Sequence, residues 1–398
     1  MLQLLSTLND VPELYRWFQH MRASQPVWLD ESSGCWHVFR YDDVNRVTTD
    51  YQEFSSERRQ RPFVRGGARS LIGMDPPQHR QYRNLVTSAF TPRAITSLSG
   101  RIQEIVQELL DQVRRSGHMD VVTEFAYPLP TIVIAEMLGV PTSDRPMFKR
   151  WADALLSRQL SDAQLFQEEE VDTPAYRQAQ QAGDEMHDYF AQMLAERERQ
   201  PRADMMTSLL QAEVEGARLS REDVISFCIL LLIAGHVTTT NLLSQAILCF
   251  DAHAGVMDQL RAHPELMPNA IEEVLRYASP VWRITRVTRT TVDIGGVSIP
   301  PDVVIFAWLS SANRDETQFP DPERFDITRT PNRHLAFGHG IHFCIGAPLA
   351  RLESSIALPM MLAQLTGLRV LRDKPLELLD SRVLFGVKHL PVAFTAGD

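Results

Sequence analysis

The chain has 398 residues, of which 44% are hydrophobic and 23% charged, so it is long enough to bury a large core. Its formal net charge is −10, which argues against a nucleic-acid partner. Four cysteines lie far apart without a CxxC pair, which argues against a disulfide framework. No basic leader opens the sequence, and no apolar run reaches the ~20 residues that span a bilayer. We therefore expect a cytoplasmic protein that does not cross a membrane.

Strand-like segments lie near the two ends of the chain, and helical periodicity fills the part between them. We predict strands within 27–31, 35–40, 287–309 and 390–395, and helices at about 95–115, 126–139, 144–156, 175–198 and 202–213. The third strand segment contains a Gly-Gly pair that predicts a hairpin turn. A capping box at Ser220 and Asp223 predicts a long helix that runs to about residue 250. The sequence thus predicts a mainly α protein with small peripheral β-sheets, folded as one domain over residues 1–398.

An acidic segment interrupts the helical pattern at 157–174, where Glu168, Glu169, Glu170 and Asp172 replace the apolar stripe. This composition is typical of a solvated loop. Between two helices of an enzyme, a loop of this kind can also serve as a lid over a pocket.

The long helix carries an unusual polar stretch, AGHVTTTN, at 234–241. Glycine, histidine, threonine and asparagine are poor helix formers on average. Threonine hydroxyls can bond to the carbonyl four residues earlier, and a glycine lets another group approach the backbone. Two interpretations stay open: a notch for helix packing, or a helix bent over a ligand with a hydroxyl available for proton transfer.

Two charged pairs have helical spacing. Glu273 and Arg276 lie three residues apart on one helix face, a common arrangement that is uninformative alone. His79 and Arg83 lie four residues apart, and two such donors suit an anion such as a carboxylate. A solvated basic face explains the second pair equally well.

The sequence AFGHGIHFCIG at 336–346 surrounds Cys344 with glycines and histidines. A zinc site would use Cys344 with His339 and His342, and His334 is available as a further ligand, but structural zinc sites usually show paired ligands and a second cluster. A nucleophilic cysteine would need a base and an oxyanion hole, which the sequence does not exclude. The glycines fit best with a backbone that passes close to a large flat group and points the sulfur at it, as in a haem held by a thiolate.

The motif F-x-x-G-x-x-x-C-x-G is matched in full by Phe337, Gly340, Cys344 and Gly346, and it resembles the haem-ligand loop of the cytochrome P-450 superfamily. The resemblance covers nearly the whole chain. The other signals follow in the family's order: the pair at 79 and 83, A-G-x-x-T-T at 234–239, E-x-x-R at 273–276 and PERF at 322–325. The sequence AFGHGIHFC of this loop is similar to that of the soluble bacterial class.

This resemblance implies the cytochrome P-450 fold, with haem b between the long central helix and the cysteine loop. Cys344 would be the axial thiolate that binds the iron. The cationic residues that match the family's propionate-binding positions are His79, Arg83, Arg286 and His342. The remaining residues that would contact the haem are Ala234, Gly235, Phe337, Gly340 and Gly346.

The resemblance also implies an activity. Thr238 matches the catalytic threonine, and the expected reaction inserts one oxygen atom of O2 into a bulky apolar or natural-product-like molecule. Electrons would come from a separate ferredoxin or flavodoxin with an NAD(P)H-dependent reductase, and the enzyme would act as a monomer. The alternative keeps the haem-thiolate fold but uses it for peroxide-driven oxidation, oxidative coupling or non-catalytic binding of haem ligands.

Two further sets of residues follow from the resemblance. Glu273 and Arg276 match a buried structural ion pair, with Arg324 of the PERF motif as its third member. Residues expected to line the substrate pocket are Val237, Ile284 and Phe385. Val237 is also a departure, because the family usually has a carboxylate before the catalytic threonine and valine cannot relay protons.

Overall fold

The computed structural model describes residues 6–57, 70–156 and 173–396. The α-helices are α1 Val11–Ser24, α2 Tyr41–Thr49, α3 Gln78–Ala89, α4 Pro92–Thr96, α5 Ser99–Val113, α6 Pro128–Met137, α7 Arg145–Leu156, α8 Pro174–Arg199, α9 Met205–Gln211, α10 Arg221–Ala252, α11 Val256–Ala262, α12 Met267–Tyr277, α13 Leu309–Ala312 and α14 Ala347–Gln364. The predicted helices are confirmed to within a few residues. The acidic segment that we predicted as a loop lies outside the described residues, except for Thr173, which caps α8, and Pro174, which is its first residue.

The strands are β1 Val27–Asp30, β2 Cys35–Val38, β3 Phe54–Ser55, β4 His118–Asp120, β5 Glu213–Val214, β6 Ala217–Arg218, β7 Ile284–Thr288, β8 Val292–Ile294, β9 Val297–Ile299, β10 Val304–Ala307, β11 Arg369–Val370 and β12 Pro391–Ala393. The largest sheet has the order β1-β2-β10-β7-β3, and β2 and β10 are its parallel pair. A smaller sheet has the order β11-β12-β4. The predicted turn joins β8 to β9 through Gly295 and Gly296, whose φ angles of 59° and 80° suit a primed hairpin turn. The small, peripheral sheets agree with the sequence prediction.

Helix α10, hereafter the central helix, begins at the predicted capping box. The Ser220 hydroxyl accepts from the Asp223 backbone N–H at 3.1 Å, and the Asp223 carboxylate accepts from the Ser220 N–H at 3.0 Å. The helix is long and apolar enough to cross a membrane, but 61% of its most apolar window is buried inside the fold. A helix that is apolar on all sides and buried in this way is a core helix. Its apolar composition therefore reflects packing against α6, α8, α12 and α14.

Candidate active site

A cavity of about 580 Å³ separates the central helix from the cysteine loop, which we define as residues 336–346. The predicted site residues that line it are Arg83, Ala234, Gly235, Thr238, Ile284, Arg286, Phe337, His342, Cys344 and Gly346. The structure thus brings together residues from α3, the central helix, β7 and the cysteine loop. Val237 and Phe385 do not line this cavity: both side chains are buried, and the Phe385 ring stacks on Trp282 at 4.2 Å. Ile284 is the predicted pocket residue that does line it.

The cysteine loop is held in shape by its own backbone. The Cys344 N–H donates to the Phe337 carbonyl at 2.9 Å, and the Phe343 N–H donates to the Gly340 carbonyl at 3.1 Å. Arg83 of α3 fixes the loop from outside, because its Nη2 donates to the Phe343 carbonyl at 2.7 Å. These contacts hold the Cys344 side chain against the cavity, whereas the other three cysteines are buried elsewhere.

The surroundings of the Cys344 sulfur suit a thiolate once a metal is bound. Burial raises the pKa of the free thiol, while the backbone N–H groups of Gly346 and Ala347 and the nearby Arg83 act in the opposite direction. N–H groups directed at a sulfur stabilise negative charge on it. A metal ion supplies the remaining stabilisation, since a coordinating thiol is deprotonated outright.

Two glycines of the motif have different physical roles. Gly340 has a φ of +73°, and a Cβ there would lie 2.9 Å from the Thr49 Cα and 3.2 Å from the Thr48 carbonyl oxygen of α2. Gly346 has ordinary backbone geometry, and its added Cβ would make only a 3.8 Å contact with the Cys344 sulfur. The first glycine is therefore required both by its backbone angle and by the close approach of α2.

Replacing Gly340 with alanine is expected to destabilise the cysteine loop, at a cost of roughly 1–3 kcal/mol for backbone strain alone. Gly346→Ala is the matched control, because its added methyl group meets no backbone atom closely. Chemical denaturation of both variants measures the difference. Equal stability of the two would contradict this account of Gly340.

A cluster of cationic side chains lines one edge of the cavity. Burial lowers the pKa of Arg286 to about 10, and it also lowers the pKa of Arg83. Among the described residues, no carboxylate lies within ion-pair distance of either guanidinium. His79 is buried with no hydrogen-bond partner for its Nε2 among these residues, and its ring lies 4.3 Å from that of His342. Arg286 is buried and Arg83 is half-buried, and cations in such surroundings are costly without an anionic partner, so this edge is built for an anionic ligand.

His342 is bonded to a network of two serines and an aspartate that no sequence motif assigned to the site. His342 Nε2 shares a hydrogen bond of 2.9 Å with the Ser56 hydroxyl. The Ser56 N–H donates at 3.0 Å to Asp75, whose carboxylate also accepts from Ser55 and Arg289. Burial lowers the pKa of His342 to about 3, and Arg286 and His79 add to the effect. His342 is therefore a neutral imidazole near pH 7 in these surroundings.

The polar stretch of the central helix stays α-helical throughout 234–241. Thr238 lines the cavity, and its hydroxyl donates to the Ala234 carbonyl at 2.8 Å. Gly235 provides a packing notch, because a Cβ there would lie 2.4 Å from the Ile134 Cδ1 of α6. His236 points away from the cavity into the core, and burial lowers its pKa to about 4. The polar stretch of the central helix therefore contains both a packing notch, at Gly235, and a hydroxyl-bearing residue beside the cavity, Thr238.

The predicted ion pair is present, but its third member is different from the one we expected. Arg276 binds both carboxylate oxygens of Glu273 at 2.8 Å, and both side chains are completely buried. The additional cation is Arg329, whose Nε lies 3.2 Å from Glu273. The Arg324 side chain is 69% exposed, and only its backbone carbonyl takes part, accepting from Arg276 at 3.1 Å. The prediction for Arg324 was wrong because the turn after the PERF motif brings a later arginine to the carboxylate.

Comparison with known proteins shows which family the chain belongs to. The family model described as "Cytochrome P450" matches residues 13–263 and 249–387. The chain belongs to the cytochrome P450 family. It is 41% identical to the cyclomarin C epoxidase CymV of Salinispora arenicola, with 98% of each chain covered. It is 38% identical to the erythromycin C-12 hydroxylase of Saccharopolyspora erythraea, again over 98% of both chains.

Structural comparison gives the same fold. The structure of CYP109E1 from Bacillus megaterium in complex with testosterone is 37% identical, covers 96% of this chain and 99% of its own, and has a TM-score of 0.86. This P450 therefore has the cytochrome P450 fold that the sequence predicted, and it is a monooxygenase of that family. The family binds haem through a cysteine thiolate. The free sulfur beside the cavity and the unpaired cations at its edge fit such a group, which carries two carboxylates.

Proposed function

We propose that this P450 holds haem b in the cavity, with Cys344 as the axial thiolate. Arg83, Arg286, His79 and His342 would bind the two propionates, a role supported by the absence of carboxylate partners for both arginines among the described residues. The observation that carries the proposal is that Cys344 and Thr238 line the same cavity. When bound, the haem supplies the activation of O2.

The protein's own residues orient the substrate and handle the proton. Away from the cysteine loop the cavity wall is apolar, with Leu71, Ile72, Phe227, Leu230 and Leu231 among its residues. Such a wall suits a bulky apolar molecule, and burial of its surface provides the binding energy. We infer a substrate of steroid or natural-product size, as in the named relatives. Thr238 Oγ1, which can both donate and accept, is the group that passes a proton into the cavity.

We further infer that electrons reach the protein from a separate ferredoxin or flavodoxin with its NAD(P)H-dependent reductase. The enzyme would act in the cytoplasm as a monomer, and residues 1–398 would form one domain. The direct test is turnover of testosterone with NADPH and a surrogate ferredoxin system under ¹⁸O2. The proposal predicts one labelled oxygen atom in the product. Turnover with hydrogen peroxide but none with NADPH and O2 would favour the peroxide-driven alternative.

Thr238→Ala is expected to lower the product formed per NADPH consumed and to raise hydrogen peroxide correspondingly, by a factor on the order of tenfold or more. Thr239→Ala is the comparison, because its hydroxyl makes an equivalent bond to the Gly235 carbonyl at 2.9 Å. The ratio of product to NADPH should fall much less in that variant. Equal ratios of product to NADPH for wild type and Thr238→Ala would show that Thr238 takes no part in proton transfer.

A further inference from the structure

A buried aspartate, Asp75, lies where segments from distant parts of the chain meet beside the cavity. It is 1% exposed and lies three residues before the start of α3. Its backbone carbonyl accepts from the N–H of His79, in the first turn of α3, at 3.0 Å. Its carboxylate accepts from the Ser55 hydroxyl and, at 3.0 Å, from the Ser56 N–H. Asp75 therefore joins the start of α3 to the end of β3.

The end of β3 in turn contacts the other two elements of the cationic edge. Strand β3 pairs with β7, and Ser55 lies opposite the residue that follows Arg286. The Ser56 hydroxyl shares a hydrogen bond of 2.9 Å with Nε2 of His342 in the cysteine loop. Asp75 and its two serines thus link α3, β7 and the cysteine loop, which together carry the two arginines and two histidines of that edge.

The charge of Asp75 is matched by a cation outside the cavity. Arg289, which directly follows β7, forms an ion pair with the Asp75 carboxylate. Burial raises the pKa of Asp75, but the hydrogen bonds from the two serines and Arg289 outweigh it and hold the pKa below its ordinary value. The carboxylate is therefore ionised, and Arg289 stabilises its charge, while Arg83 and Arg286 line the cavity itself.

We propose that Asp75 is a positioning residue for the haem propionates, because its carboxylate holds β3 against the start of α3 and thereby fixes His342 beside His79. The two rings lie 4.3 Å apart. This inference rests on the proposed function. It extends the site to a residue that does not line the cavity and that would act on the haem only through its neighbours.

The role requires a carboxylate, because both oxygens accept from N–H donors. One oxygen accepts from the Ser56 N–H and the other from Arg289. In Asp75→Asn an NH2 group replaces one of these oxygens, so it meets either the Ser56 N–H or the guanidinium as a donor facing a donor. Ser56 and the His342 ring bonded to it then lose their attachment to α3.

The test compares haem with haem dimethyl ester, in which both propionates are uncharged. Wild type and Asp75→Asn are loaded with each porphyrin, and transfer to excess apomyoglobin is followed by absorbance. We expect Asp75→Asn to lose haem roughly ten- to 100-fold faster than wild type, the usual effect of losing a residue that orients a ligand-binding group. It should lose the ester at nearly the wild-type rate, because the ester presents no carboxylates to the cationic edge. General destabilisation of the fold would accelerate both losses equally.

Asp204→Asn is the matched control. Asp204 caps α9, its side chain is 5% exposed, and it accepts from Arg197 at 2.7 Å, but it does not line the haem cavity. This variant should lose haem at the wild-type rate. Ser56→Ala removes the hydrogen bond to His342 and keeps the N–H that binds Asp75, so its rate should fall between wild type and Asp75→Asn.

Two results would overturn the positioning role of Asp75. One is a wild-type rate of haem loss in Asp75→Asn, and the other is an equal acceleration for haem and its ester. If Asp75→Asn does not fold, Ser56→Ala decides in the same comparison, and a wild-type rate of haem loss in that variant would overturn the proposal. Equal rates for haem and its ester in wild type would instead contradict the propionate site of the proposed function, and this inference with it.

Discussion

Replacing Glu273 with glutamine is expected to lower the free energy of unfolding by about 3–5 kcal/mol, because the change leaves Arg276 buried without its anion. The pair is completely buried, and Glu273 also accepts from the Asp326 N–H at 2.9 Å and from Asn332 Nδ2 at 3.1 Å. Glutamine preserves the volume of the side chain, so the loss reports charge and hydrogen bonding and includes no cavity term. Chemical denaturation followed by circular dichroism measures it.

Arg324→Ala is the control that tests the corrected assignment. Since that side chain is exposed and contributes only its backbone carbonyl, the expected change is within about 0.5 kcal/mol. Arg329→Ala should fall between the two, because its guanidinium is mostly buried and contacts Glu273. If Arg324→Ala lowered the free energy of unfolding as much as Glu273→Gln, Arg324 would be the third member of the ion pair, as the sequence predicted.

Replacing Cys344 with alanine is expected to abolish product formation and to remove the spectrum of a thiolate-bound haem. The variant retains the apolar wall and the cationic edge of the cavity, so haem can still enter but finds no sulfur ligand. The carbon monoxide complex of the reduced variant should lose the far red-shifted Soret band of the wild type. Cys35→Ala is the control, because Cys35 lies on β2 and does not line the cavity. Retention of the red-shifted band in Cys344→Ala would assign the ligand to another residue.

Local sequence signals predicted the elements well where each one depends on neighbouring residues. The capping box at Ser220 fixes the start of the central helix, and the Gly-Gly pair fixes the hairpin, because both are decided within a few residues. The motif around Cys344 predicted the cysteine loop for the same reason. Gly340 adds a contact that its sequence does not reveal, since the close approach of α2 comes from a distant part of the chain.

Contacts between distant segments could not be predicted in this way. Arg324 and Arg329 both follow the ion pair, and only the path of the intervening turn decides which one reaches Glu273. Val237 directly precedes Thr238 in a stretch of the central helix that lines the cavity. Successive side chains of a helix are rotated by about 100°, so the side chain of Val237 is buried in the core instead. Ser56, which binds His342, is separated from it by 286 residues and belongs to no motif that we identified.

The central claim is that the Cys344 sulfur is a ligand of the haem iron. X-ray absorption at the iron edge of purified, haem-loaded wild type tests it most directly, because a sulfur neighbour scatters differently from nitrogen or oxygen. The account predicts one sulfur atom in the first coordination shell of wild type and of Cys35→Ala, and none in Cys344→Ala. A first shell of only nitrogen and oxygen in folded wild type would contradict it.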